Sequence, residues 1–227
     1  NHFESYWTIY LNLIKEVAFL SLGLHKLFTY AFNLRPHLYP VLEKNNFSLE
    51  AILKEHCLFK ETYIDVYIHS ITSNKYISLR SVEEGDVDLL FKWANEPSVR
   101  ENSFSKEKIN WDDHLKWFAK QMSSNNHIFI LTTPNEPLGM IRFDDKNQSW
   151  ILNYLIAPDF RGCGLGKRIV QTGMDLLYQH EPGQKVIQAY VQENNQPSIR
   201  IFRSLNFKES FSKEFNSIQF SFNSCDR

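Results

Sequence analysis

Arg161-Gly162-Cys163-Gly164-Leu165-Gly166 follows directly on the apolar run Trp150–Ala157, and a segment with helical periodicity follows it in turn. Pro158 ends the run, so the order reads as strand, glycine-dense turn, helix. Such a turn presents a row of backbone N–H groups to a phosphate. Glycine lets the backbone come close and adopt positive φ, and the unpaired amides and dipole at the helix start attract the anion. Arg161 adds a charge beside them, and Lys167-Arg168 put cations at a helix start that ordinarily disfavours them. The pattern therefore points to an open α/β arrangement with an anionic ligand at one strand end.

Composition narrows the classes of partner. The chain has 227 residues, 43% hydrophobic and 22% charged, with a net charge of -1, which suits a packed core and argues against a general nucleic-acid or anionic-membrane binder. Cys57, Cys163 and Cys225 are odd in number and lack C-x-x-C spacing, so a reduced compartment without a disulfide framework is expected. No apolar run approaches the ~20 residues of a membrane span. Asn12, Lys15 and Glu16 interrupt the N-terminal candidate, which also lacks the features of a signal peptide. We expect a soluble cytoplasmic protein with no nucleic-acid and no membrane partner. Its first residue is Asn1 rather than Met, which suggests a processed or missing start.

An internal repeat organises the chain. Lys26–Phe32 reads as a buried strand, Arg35-Pro36 opens a helix, and Asn46-Phe47 closes it; Lys185–Val191, Asn195–Pro197 and Asn206-Phe207 repeat that order in a unit one residue longer, with the closing Asn-Phe pairs 160 positions apart. Moved back by the same offset, the glycine loop lands on Asn1–Tyr6, where there is no glycine, while residues 7–21 keep helical apolar spacing. Ala51–Phe59 and Thr62–His69 then read as a closing hairpin with Lys60-Glu61 at its turn, and Ile71–Lys75 as a short polar linker. Downstream we expect strands at Ile77–Arg80, His127–Thr132, Leu138–Phe143 and Trp150–Ala157, with helices at Val87–Ala94 and Trp111–Met122, the latter capped by Asn110.

The spacing R-x-x-G-x-G, in this setting and with this element order, resembles the GNAT superfamily of acetyl-CoA-dependent N-acetyltransferases. The resemblance implies an α/β (α+β) fold: a mixed, mostly antiparallel central sheet with helices on both faces, complete over residues 73–227. Residues 1–72 would be the C-terminal half of a second GNAT-like unit. It also implies acetyl transfer to an amine with acetyl-CoA as donor, no metal and no covalent enzyme intermediate. Leu155, Ile156 and Ala157 would pair with the pantetheine amides, and an N–H there would face the thioester oxygen as it gains charge. Arg161, Gly162, Cys163, Gly164, Leu165, Gly166 and Lys167 would hold the pyrophosphate. Asn195, Ser198, Phe202 and Arg203 fit the family pattern on the next helix. Many members carry a tyrosine at the position of Phe202, where its hydroxyl protonates the leaving thiolate; phenylalanine cannot. With a thiol pKa near ~8.5, water or Ser198 would suffice, and Tyr190 and Tyr154 are alternatives.

The stretch Trp93–Phe104, with Ile109, His114, Trp117-Phe118 and Gly139–Phe143, is similar to acetyltransferases acting on nucleotide-linked amino sugars of nonulosonic acid synthesis. Trp93, Asn95, Arg100, Asn102, Ser103, Trp117 and Arg142 are the expected acceptor residues, combining aromatic faces with amides, hydroxyls and fixed cations. As single residues the tryptophans would also serve helix packing, and Asn102 and Ser103 capping. His114 is a candidate base because imidazole titrates near neutrality; Glu101 and Glu193 are alternatives. The histidines of the first third lack metal-binding spacing, so no metal site is expected. Two other readings compete: a GNAT acting on protein N-termini or polyamines, and a CoA-binding module of little activity. Half a sheet leaves an open apolar face, so residues 1–72 would dock on the complete domain, form a homodimer or other pairing, or belong to a longer tandem chain. The last is favoured.

Overall fold

The computed structural model describes residues 2–183 and 185–223; Cys225 lies outside them. The chain divides into two compact units, Asn1–Ser78 and Leu79–Arg227.

The first unit runs α1 (His2–Glu16, continued by a π turn over Val17–Ser21), β1 (Lys26–Phe32), α2 (Leu38–Lys44), β2 (Ser48–Phe59), β3 (Thr62–Thr72) and α3 (Ser73–Tyr76). Its antiparallel sheet has the order β1-β3-β2. The β2–β3 hairpin turns at Lys60-Glu61, whose positive φ angles of 47° and 65° give the two-residue turn that matches strand twist. The expected linker is instead the end of β3 and the turn of α3, with Ile71, Ser73 and Tyr76 buried. The sequence hid this because β3 continues as long as β1 offers a partner: Lys26 pairs with Thr72.

The second unit runs β4 (Ser78–Ser81), a 3₁₀ turn (Glu84–Asp86), α4 (Val87–Ala94), α5 (Pro97–Glu101), α6 (Trp111–Met122), β5 (His127–Thr132), β6 (Pro137–Asp145), β7 (Ser149–Ile156), a 3₁₀ turn (Pro158–Phe160), α7 (Leu165–His180), β8 (Val186–Val191), α8 (Gln196–Ser204), β9 (Lys208–Ser212) and β10 (Ser217–Phe222). The seven strands have the order β4-β5-β6-β7-β8-β10-β9. Pairing is antiparallel through β5-β6-β7 and β8-β10-β9, and parallel between β7 and β8. The central strands bury nearly continuous apolar runs, Ile128–Leu131 and Leu138–Ile141 among them, because both faces are covered. α7 lies close enough to β6 that a Cβ at Gly173 would meet Ile141 Cδ1 at 2.7 Å.

The segments α1–β1–α2–β2–β3 and α7–β8–α8–β9–β10 have the same element order, and β1-β3-β2 matches β8-β10-β9. Their middle helices end alike. Asn46 (φ 69°) and Asn206 (φ 59°) adopt the left-handed conformation, and the following Phe47 and Phe207 donate to Leu42 and Phe202 at 3.0 and 3.1 Å, which is the Schellman pattern. One expectation fails. β1 is not a buried strand: Phe28, Tyr30 and Phe32 are 64%, 46% and 42% exposed. Their counterparts Ile187, Ala189 and Val191 are buried, on a strand that has β7 on one side and β10 on the other. β1 has one sheet neighbour.

Candidate active site

The site follows from how β7 and β8 part. They pair in parallel over Ser149–Ile151 and Val186–Gln188; beyond that register the ends of β7 and β8 line a cleft of about 1300 Å³. β7 stays fixed there by β6 on its other edge, through pairs such as Gly139–Ile156. An extended chain of amides fits beside such an edge.

At the end of β7 the chain makes its 3₁₀ turn and then the glycine loop. Gly162 (φ 83°) and Gly164 (φ 74°) are left-handed, a conformation that costs other residues about 1–2 kcal/mol. Gly164 is the N-cap of α7 and offers no side chain to cap it, so the first amides of α7 are left for an anion. Gly166 brings α7 against α8, where a Cβ would lie 2.5 Å from Ile201 Cδ1.

Of the expected cofactor residues, Leu155, Ile156, Arg161, Gly162, Gly164, Leu165, Gly166, Lys167, Asn195, Ser198 and Phe202 line the cleft. Three do not. Ala157 packs in the apolar cluster of Leu90, Trp93 and Phe118, Cys163 turns its Sγ toward the Arg161 carbonyl, and Arg203 is an exposed partner of Glu209 at 2.8 Å. Asn195 caps α8, accepting from Ser198 N at 3.3 Å. Phe202 is buried between Phe207 and Phe220, without a hydroxyl to offer. The hydroxyl pair that sequence spacing hid lies beside it: Tyr154 Oη is 2.9 Å from Ser198 Oγ, and burial pushes the Tyr154 phenol up.

On the acceptor side Arg100, Asn102, Ser103, Trp117 and Arg142 line the cleft. Arg142 lies over the Trp117 ring at 5.3 Å and pairs with Asp144 at 2.9 Å. Arg100 donates to Ser103 Oγ and to the carbonyls of Ser105 and Glu107, so it ties down the loop after α5. Trp93 and Asn95 have structural roles instead. Trp93 belongs to the apolar cluster, and the Asn95 amide holds the backbone of Ile109 in both directions, at 3.0 and 2.8 Å.

His114 borders the cleft but is 1% exposed, ringed by Phe91, Trp111, Trp117 and Phe118. Its Nε2 lies 2.9 Å from the Val87 carbonyl; that acceptor requires the proton on Nε2. Tyr190 lines the cleft, packs on Phe215, and donates to Gln188 at 3.4 Å. Glu101 is an exposed residue at the end of α5, outside the cleft lining. Among the described residues, no group of three His, Cys, Asp or Glu side chains is placed to hold a metal ion, and no helix is long and apolar enough to cross a membrane.

The acetyltransferase (GNAT) domain model matches residues 77–208. An uncharacterised protein of Methanocaldococcus jannaschii is 26% identical over 145 residues, which span 62% of this chain and 30% of that protein. A crystal structure of a domain from that organism, 25% identical, covers 65% of this chain and 97% of its own with a TM-score of 0.57. Spermidine N-acetyltransferase from Vibrio cholerae in complex with CoA and spermine, 16% identical, covers 67% and 98% with a TM-score of 0.61. Aminoglycoside acetyltransferase AAC(6′)-Ib in complex with coenzyme A, also 16% identical, covers 66% and 95% with a TM-score of 0.56. At that identity the last two show the fold. The chain belongs to the GNAT family of acetyl-CoA-dependent N-acetyltransferases, and residues 77–208 are its acetyltransferase domain.

Proposed function

We propose that this domain acetylates the primary amine of a nucleotide-linked amino sugar. The observation that carries the reading is the charge of the cleft wall: among the described residues, Arg100, Arg142, Arg161, Lys167 and Arg200 line it with one carboxylate, Asp113. With Arg142 paired to Asp144 and Arg161 to Glu96 behind the lining, Arg100, Lys167 and Arg200 remain against it. Some of those cations serve the anionic donor. Arg100 and Arg142 lie on the acceptor side, where a polycationic acceptor would be repelled and a nucleotide phosphate attracted. Trp117 and Phe104 add stacking faces. The spermidine and aminoglycoside enzymes share the fold, and cationic amines are the alternative acceptors.

In this mechanism the uncapped amides of α7 and Lys167 hold the donor's pyrophosphate, and the β7 backbone beyond the β7–β8 pairing holds its amide arm. The Ile156 N–H faces the carbonyl oxygen as the amine attacks. His114 Nδ1 receives the amine proton, directly or through water, and water or the Ser198 hydroxyl returns a proton to the departing sulfur. Glu101 has no part in it. The test is release of free thiol from acetyl-CoA with a UDP-linked 4-amino sugar, spermidine and kanamycin as acceptors. Faster turnover of spermidine or kanamycin would replace the acceptor assignment. CoA binding without turnover on any of them would leave a binding module.

We also propose that residues 1–72 are the C-terminal half of a second GNAT-like unit and that the cell location is cytoplasmic. Three observations support the first reading: the shared strand order, the matching Asn-Phe helix ends, and the exposed β1 aromatics where β8 is buried. Expressed alone, residues 73–227 are expected to stay soluble and bind CoA. Loss of folding in that fragment would make the first unit an integral part of the active domain.

A further inference from the structure

Arg161 is the charged residue of the glycine loop, yet its guanidinium is turned to protein. Nε donates to the Ile156 carbonyl at 3.0 Å, one terminal nitrogen to Ser98 Oγ, and the other to Glu96 Oε2 at 2.9 Å. Three of its five N–H groups are thereby committed, to the end of β7 and to the start of α5. Glu96 is committed too. It caps α5 by accepting from Val99 N at 3.0 Å and from Ser98 Oγ at 2.6 Å. Burial pushes its carboxyl up, but the bonds from Ser98, Arg161 and the Ser98 and Val99 amides outweigh that and hold it at about 2.

α5 needs such a hold. It has five residues, none buried, so apolar packing does not fix its position. Yet it carries Arg100, which ties Ser103, Ser105 and Glu107, and Gln192 Nε2, just after β8, donates to the Ser103 carbonyl at 2.8 Å. Part of the acceptor wall therefore hangs on a short helix, with Gln192 a second hold at Ser103, and Arg161 ties that helix to the end of β7.

We infer that Arg161 and Glu96 form a strut setting the acceptor wall against the end of β7, and that both are positioning residues for the transfer rather than ligands of the pyrophosphate. This rests on the acetyl-transfer reading. It couples the two substrates through one side chain, because whatever moves the glycine loop also moves α5.

The geometry makes lysine the discriminating substitution. In Arg161→Lys the ammonium would keep a point charge near a phosphate but cannot span three acceptors on two elements. Arg161→Lys, Arg161→Ala and Glu96→Gln are compared with the parent by CoA calorimetry and amide exchange of residues 98–103. Acceptor KM is measured with a UDP-linked 4-amino sugar. The strut predicts that all three variants speed α5 exchange and raise acceptor KM about tenfold or more, the effect of losing one charge-assisted bond, with kcat less affected. CoA affinity should stay within about threefold, since no phosphate contact is lost. Weaker CoA binding in Arg161→Ala, restored in Arg161→Lys with α5 exchange unchanged, would overturn the inference. If CoA affinity and α5 protection fall together in the Arg161 variants, Glu96→Gln decides: faster α5 exchange with CoA affinity kept within about threefold supports the strut, and parental α5 exchange or a matching loss of CoA affinity refutes it. Should the parent itself fail to bind CoA, the acetyl-transfer reading falls first, before any variant is compared.

Discussion

Gly139→Ala tests whether the end of β7 is where the donor's thioester sits. Gly139 pairs with Ile156 across β6 and β7, and a Cβ there would lie 2.4 Å from the Leu155 carbonyl oxygen and 3.1 Å from Ile156 Cα. Both are backbone atoms, so no rotamer relieves the clash. Ordinary contact begins at 3.4 Å, so the strands must separate locally by about 1 Å, the scale at which a misplaced catalytic group costs roughly 10²-fold in rate. Overpacking of this kind costs about 1–3 kcal/mol of stability, and a unit of this size loses roughly 2–4 °C of Tm per kcal/mol. Gly85→Ala is the control, because nothing lies within 4 Å of a Cβ there. We expect Gly139→Ala to melt a few degrees lower and lose about 10²-fold in kcat/KM for acetyl-CoA, the effect of that 1 Å shift. A variant that melts lower but keeps parental kcat/KM would show that the Leu155–Ile156 backbone does not hold the reacting group.

Gly164→Ala should cost about 1–2 kcal/mol of stability from its left-handed φ alone, visible in urea melts, whereas Gly164→Asp should in addition abolish CoA binding in calorimetry by placing a carboxylate where the anion belongs. Asp86 is held below the ordinary carboxylate range, chiefly by the Arg80 guanidinium at 2.7 Å, against burial and with help from the Glu83 N–H. A depressed folded pKa stabilises above the unfolded value near ~3.9 and is lost as pH falls through the folded one. Asp86→Asn should thus lower stability by about 1–3 kcal/mol at pH 7 and flatten the acid limb of the stability–pH curve. Arg142→Met should raise KM for a UDP-linked amino sugar and leave KM for acetyl-CoA near parental; equal loss on both would assign it a folding role. Ser198→Ala combined with Tyr154→Phe should slow kcat more than CoA binding, with equal losses pointing to packing.

What was legible in the sequence was what period and punctuation encode. α4 and α6 begin and end where their apolar spacing and the Asn110 cap place them, and β5 likewise. The glycine loop could be read because positive φ leaves a compositional mark. α5 could not, since five residues without a buried position carry no period; its signal is the Glu96 cap, followed by Pro97. β1 looked buried because apolar content states what a strand needs and not whether a neighbour is there to supply it. Arg161 and Glu96 are 65 positions apart, and their pairing has no local signature at all. His114 could be picked as a titratable group near the site, but its aromatic enclosure and its bond to Val87 arise only once α4 and α6 pack.

The stacking of Arg142 over Trp117 also has an optical consequence. A cation held at 5.3 Å from an indole face, inside the cleft, alters that ring's excited state. Trp150, which is 3% exposed with Lys185 at 4.4 Å, sits under a cation that lies outside the cleft lining. An acceptor that draws Arg142 toward its own phosphate would shift the emission of Trp117 and leave that of Trp150 as an internal reference. With Trp7, Trp93 and Trp111 replaced by phenylalanine, the remaining pair would report acceptor binding without label and before any acetyl group is transferred.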